Sequence, residues 1–129
     1  MSATQSLATF IADAKVADLP EWSLHEAKRT LINIIAVSLS ASLASGSRIM
    51  INWTAAEESA SRSTIIGTAM RTSSFNAAML NGFLAHLQDY DDTHFPSVLH
   101  PTAPVWPAVF AAAEDRGASG KEALAAFKR

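Results

Sequence analysis

Between Arg29 and Arg48 the chain carries no charged side chain, and no other interval constrains the fold as strongly. An uncharged stretch of this length is either a membrane span or a helix buried among other helices. Its polar content decides between them. The interval holds Thr30, Asn33, Ser38, Ser40, Ser42, Ser45, Gly46 and Ser47, and its long aliphatic residues are confined to Leu31 through Leu43. A helix apolar nearly all round and studded with small serines is expected to be buried on several sides by neighbouring helices, not by lipid. The chain of 129 residues suffices for one domain with an ordinary core.

Helical signals dominate the rest. Leu7, Phe10, Ile11 and Ala14 form a stripe at three- and four-residue spacing that ends before Asp18-Leu19-Pro20. A second helix starts near Pro20 or at Ser23, where Ser23 and Glu26 have capping-box spacing, and runs to about Ser45-Gly46. Thr54 and Glu57 repeat that spacing, although residues 49–59 also read as continuous helix. Ser63-Thr64-Ile65-Ile66-Gly67, β-branched and closed by glycine, is the one strand-like piece. Ser73 or Ser74 caps the next helix, whose apolar positions Phe75, Met79, Phe83 and Leu87 recur every fourth residue beside Leu80 and Leu84. Gly82 interrupts it, at a cost of about 1 kcal/mol relative to alanine, which points to close approach of a backbone or a ligand or to a tolerated imperfection. Pro104 or Pro107 opens a helix that ends near Gly117, and Ser119 with Glu122 caps a last one in which Leu124 and Phe127 share a face. The fold class expected is all-α with one short strand near 63–67.

Charge and composition exclude several functions. A formal net charge of −2 gives no basic surface for nucleic acid. The absence of cysteine removes disulfides, thiolate nucleophiles and cysteine metal sites, and is compatible with a cytoplasmic location. The first residues lack the basic and then apolar regions of a secretory signal. Trp22, Trp53 and Trp106 read as packing groups, Met50, Met70 and Met79 as core filling, and Arg71-Thr72-Ser73-Ser74 as a polar turn before a cap.

The chemistry concentrates in Asp89-Tyr90-Asp91-Asp92-Thr93-His94 and His100-Pro101. If the helix from Phe75 extends to Tyr90, then His86, Asp89 and Asp92 or Thr93 share one face that runs into a proline-punctuated loop. Acids and imidazoles delivered into a loop by a helix end suit proton transfer. The same residues also serve as an ordinary solvated helix terminus, with Asp91, Asp92 and Thr93 acting simply as its stop.

The sequence resembles the amino-terminal part of the MmgE/PrpD family, which includes 2-methylcitrate dehydratase, cis-aconitate decarboxylase and iminodisuccinate epimerase. The resemblance is carried by Asn76-Ala77-Ala78 with Asn81-Gly82, by Ala85 through His94, and by His100-Pro101-Thr102-Ala103-Pro104-Val105. Ala27-Lys28-Arg29-Thr30-Leu31, Ile66-Gly67-Thr68 and Ser119-Gly120-Lys121-Glu122 support it in family order. It implies a helical large domain, a homodimer, and a lyase that moves a proton at carbon next to a carboxylate of a small di- or tricarboxylate, without a metal or other cofactor. By motif position it makes Asp89, Thr93 and His100 catalytic, with His86, Asp92 and His94 in support. Asp89 would orient or accept a proton, Thr93 would hydrogen-bond a substrate oxygen, and His100 would bind a carboxylate or shuttle a proton.

Family members run to several hundred residues and bring a further lysine and histidine from regions beyond Arg129, so residues 1–129 are expected to form a partial helical domain without the lid domain. Alone it is expected to be nearly inactive, being either a truncated product or one half of a split enzyme whose complementing carboxy-terminal chain brings the rest. Two other functions stay open: a non-catalytic helical assembly module or relic, and a metal site built from His86, Asp89, Asp92, His94 and His100.

Overall fold

A computed structural model describes residues 2–13, 20–57 and 59–128. The element order is α1 (Ala3–Asp13), α2 (Glu21–Ser42), α3 (Ser47–Ala56), β1 (Ser63–Thr64), β2 (Arg71–Thr72), α4 (Ser74–His86), α5 (Thr102–Arg116) and α6 (Gly120–Lys128). The helical expectation holds. The strand near 63–67 is the first arm of a two-stranded antiparallel hairpin in which Ser63 pairs with Thr72 and Thr64 with Arg71. Its second arm falls where the sequence reads as a polar turn, because arms of two residues are too short to show a period. The end of the α1 stripe, from Ala14 to Leu19, lies outside the described residues.

Capping chemistry sets several boundaries. Ser73 caps α4 by accepting from the Asn76 amide at 3.2 Å. Ser119 and Glu122 form the reciprocal capping box of α6, with the Ser119 amide 2.8 Å from Glu122 Oε2 and the Glu122 amide 3.3 Å from Ser119 Oγ. Gly117 closes α5 at φ 64°. Two candidate caps are not used, because α2 starts after Pro20, the other start the sequence allows, and α3 runs continuously from Ser47 to Ala56. Ser23 lies within the first turn of α2, where its hydroxyl donates to the Pro20 carbonyl at 2.8 Å, and Thr54 lies inside α3, bonded to the Met50 carbonyl. α5 starts at Thr102, before either candidate proline, so Pro107 is interior and buried. A proline there has no N–H for the Ala103 carbonyl one turn back.

α4 packs most extensively on α5, with α2 against both. One core cluster joins Ala27, Ile34 and Val37 of α2 to Ala85, Ala103 and Trp106. Trp106 is fully buried, stacks on Phe127 with ring centroids 4.1 Å apart, and donates from Nε1 to Thr30 Oγ1 at 3.1 Å. This gives α6 a firm seat. Trp22 and Trp53 are instead exposed. A second cluster joins Ala41, Ile65, Leu80 and Leu84, with Met50 and Met70 packed on it. Asn81 staples the hairpin to α4, accepting from the Ile66 amide and donating to the Thr64 carbonyl, both at 2.9 Å.

α2 is buried among other helices, packing on α3, α4, α5 and α6, but through one face. Its Ala27, Ile34, Val37 and Ala41 face is buried, while Ile32, Leu39 and Leu43 on the other side are exposed. No single helix among the described residues is long and apolar enough to cross a membrane; α2 and α3 meet that criterion only as a pair, bent by 87°.

Candidate functional site

α4 is apolar on two faces, and packing assigns them different uses. Ala77, Leu80, Leu84 and Ala85 enter the core. Phe75, Met79, Gly82 and His86, one helical stripe, instead line a cavity of about 630 Å³ whose opposite wall is Ala103 and Pro104 of α5. Met79 is thus a wall of the cavity. Gly82 lies where the Ala103 carbonyl approaches: a Cβ there would stand 3.6 Å from that oxygen. This is the carbonyl that Pro107 leaves without a helical donor, and 3.6 Å is an ordinary contact, so the glycine is a tolerated imperfection beside the cavity. Among the described residues no lysine or arginine lines this cavity.

The polar end of the cavity is built where α4 stops. The helix ends at His86, not Tyr90: Leu87 is its cap and Asp89 takes a left-handed conformation, φ 57°, with its amide on the His86 carbonyl at 3.0 Å. Aspartate tolerates that conformation better than most residues. Face-sharing among His86, Asp89 and Asp92 by helical spacing therefore does not apply. Past the turn, Asn33 Nδ2 holds the Tyr90 carbonyl at 3.2 Å and Asp91 turns inward. The chain then makes a tight turn, in which the His94 amide meets the Leu99 carbonyl at 2.8 Å and Val98 sits at φ 52°. A β-branched residue in that region is strained, and the turn returns His100 to the start of α5, beside His86.

The result is a carboxylate between imidazoles. The Asp91 side chain is fully buried, with Oδ1 and Oδ2 at 3.0 and 3.1 Å from His86 Nδ1. Its Oδ2 is 3.3 Å from His100 Nδ1, within ion-pair distance but outside hydrogen-bond alignment, so that buried nitrogen has no directed bond. The His86 and His100 rings meet edge to face, centroids 4.9 Å apart. Asp89, exposed, places Oδ1 at 3.9 Å from His100 Nε2. Each of His86, Asp89, Asp91 and His100 can offer one ligand atom within 4.8 Å of the others. Tetrahedral zinc wants such atoms about 3.3 Å apart, from bonds of about 2.0–2.1 Å, so a metal would have to draw this set inward.

Of the residues the sequence singles out, His86, Asp89 and His100 come together. Asp92 lies by Glu26, Arg29, Thr30 and Asn33. His94 bonds Ser97 Oγ at 2.6 Å within the tight turn, and Thr93 is exposed. Asp91, which sequence reasoning treats as a possible helix stop, is the buried centre of the cluster. Nothing local signals this, since its burial depends on His100 returning from nine residues downstream.

Residues 5–128 match the MmgE/PrpD N-terminal domain. The chain belongs to the MmgE/PrpD family. Over 111 residues it is 32% identical to the cis-aconitate decarboxylase-like protein oryM of Aspergillus oryzae, covering 86% of this chain and 23% of that protein. Over 114 residues it is 30% identical to human cis-aconitate decarboxylase, covering 88% of this chain and 24% of that protein. This MmgE/PrpD chain therefore spans about a quarter of the length of the curated relatives it matches.

Proposed function

We propose that this chain is the amino-terminal domain of a cytoplasmic lyase that moves a proton at carbon next to a carboxylate of a small di- or tricarboxylate, as its cis-aconitate decarboxylase relatives suggest. The observation that carries the reading is the buried Asp91 carboxylate between His86 and His100 at the polar end of an otherwise apolar cavity. Such chemistry needs a group that gives or takes a proton and partners for carboxylate and enolate charge. His86 and His100 supply the first. Asp89, beside His100 Nε2, accepts or orients the proton, and Thr93 hydrogen-bonds a substrate oxygen. Among the described residues no lysine or arginine lines the cavity, so much of the carboxylate binding falls to further groups, the family's additional lysine and histidine among them. They come from the remainder of a longer chain, a complementing chain or the second subunit of a homodimer.

Mixing the chain with residues corresponding to the remaining carboxy-terminal part of the Aspergillus oryzae relative tests this. Gain of cis-aconitate decarboxylation or 2-methylcitrate dehydration, abolished by His100→Ala, is expected. No gain in any such mixture, with complex formation verified, would overturn it. A second reading, a helical assembly module, draws support from the exposed apolar stripe Ile32, Leu39 and Leu43.

A further inference from the structure

We infer that Asp91 is a positioning residue that fixes both imidazoles as their Nδ1–H tautomers, so that His86 and His100 each present Nε2 to the ligand. A carboxylate is an acceptor only, and one withdrawn from water needs donors or it is strongly destabilising. Asp91 is such a group, its side chain having no exposure, and the ring atom nearest it in each imidazole is Nδ1. A neutral imidazole carries one proton, and the hydrogen bond made by one nitrogen decides the state of the other. A proton held on Nδ1 by Asp91 leaves Nε2 of the same ring as the acceptor.

The two arms differ in completeness. His86 Nδ1 is engaged by both carboxylate oxygens, at 3.0 and 3.1 Å. His100 Nδ1, buried and 3.3 Å from Oδ2, is off the hydrogen-bond line. Bonds of this kind are often misaligned before a ligand arrives and tighten when it does. The edge-to-face rings, with planes at 67°, let one buried carboxylate serve both without the rings competing for the same space. His100 Nε2 then faces Asp89 Oδ1 across 3.9 Å, and this gap is where a substrate proton passes between imidazole and carboxylate. That last assignment rests on the proposed lyase reading, whereas the tautomers do not.

Two-bond 1H–15N NMR of the 15N-labelled chain in alkaline buffer reads the tautomer of each ring directly. Nδ1–H signatures are expected for His86 and His100, with exposed His25 showing the ordinary solution mixture. The shape-conserving Asp91→Asn variant is expected to lose that signature at one ring or both, since a neutral amide has one acceptor oxygen for two donors. An Nε2–H signature at either ring of the wild-type chain overturns the inference, and this holds even if the variant fails to fold. Unchanged tautomers in a folded Asp91→Asn also overturn it, because a merely space-filling aspartate would leave them alone. The expected tautomers with no activity in any reconstituted mixture would sink the lyase reading and leave Asp91 in its role.

Discussion

Gly67 and Gly82 should respond to the same substitution with opposite signs. Gly67 turns the hairpin loop at φ 79°, and a Cβ added there would lie 2.6 Å from Ser42 Cβ, an atom fixed by the backbone of α2. The left-handed conformation costs an L-residue about 1–2 kcal/mol, and forcing a methyl into occupied space adds roughly 1–3 kcal/mol. Gly67→Ala is therefore expected to destabilise by about 2–5 kcal/mol, out of the roughly 5–15 kcal/mol usual for a domain. Gly82 lies in the interior of α4, where a new Cβ would meet only the Ala103 oxygen at 3.6 Å, an ordinary contact. Relief of the glycine cost stabilises Gly82→Ala by up to about 1 kcal/mol. With a urea slope near 2 kcal/mol/M, the two variants should unfold roughly 1–3 M apart, on either side of the wild type. Urea titration followed by far-UV circular dichroism measures this. Equal midpoints, or the reverse order, would refute the packing assigned to both glycines. The Gly82→Ala methyl also enters the cavity wall, so in a reconstituted enzyme stability should rise while turnover falls.

Trp106→Ala empties the fully buried position that joins α2, α5 and α6 and removes the donor to Thr30, so a loss of about 3–5 kcal/mol is expected; a loss below about 1.5 kcal/mol in the same urea assay would contradict the seating of α6 on Trp106. The hydrogen bond from Arg62, aided by one from Ser74, holds the Asp115 carboxyl below its ordinary value. A carboxyl depressed in the folded state stabilises above its unfolded value and loses that contribution as pH falls through the folded one. Asp115→Asn should accordingly melt below the wild type at neutral pH and low salt, with the gap closing in acid. A gap that is constant or widens in acid would contradict the pairing.

Much of the scaffold was legible because its signals are local. Ser73, Ser119 with Glu122, and Gly117 each act within a turn of the helix end they mark, and the structure uses all of them. Ser23 and Thr54 have the same spacing with glutamate but lie within helices, because a capping pattern marks an end only if the backbone before it leaves the helix. The helix of Phe75, Met79 and Leu80 was plain, but its core face was not. Residues on both sides of α4 are apolar, and only the position of α5 makes one side core and the other cavity wall.

The sequence by itself determined a helical chain with one short strand, the family to which it belongs, and a short segment dense in acids and imidazoles. Tertiary structure decided which of those groups meet. α4 ends at His86, Asp89 turns left-handed, and the strained turn at Val98 brings His100 back beside His86. Those events bury Asp91 between two rings and leave Asp92 and His94 on other surfaces. Periodicity describes neighbours along one regular element, whereas this site is closed by an irregular loop whose path depends on contacts with α2 and α5.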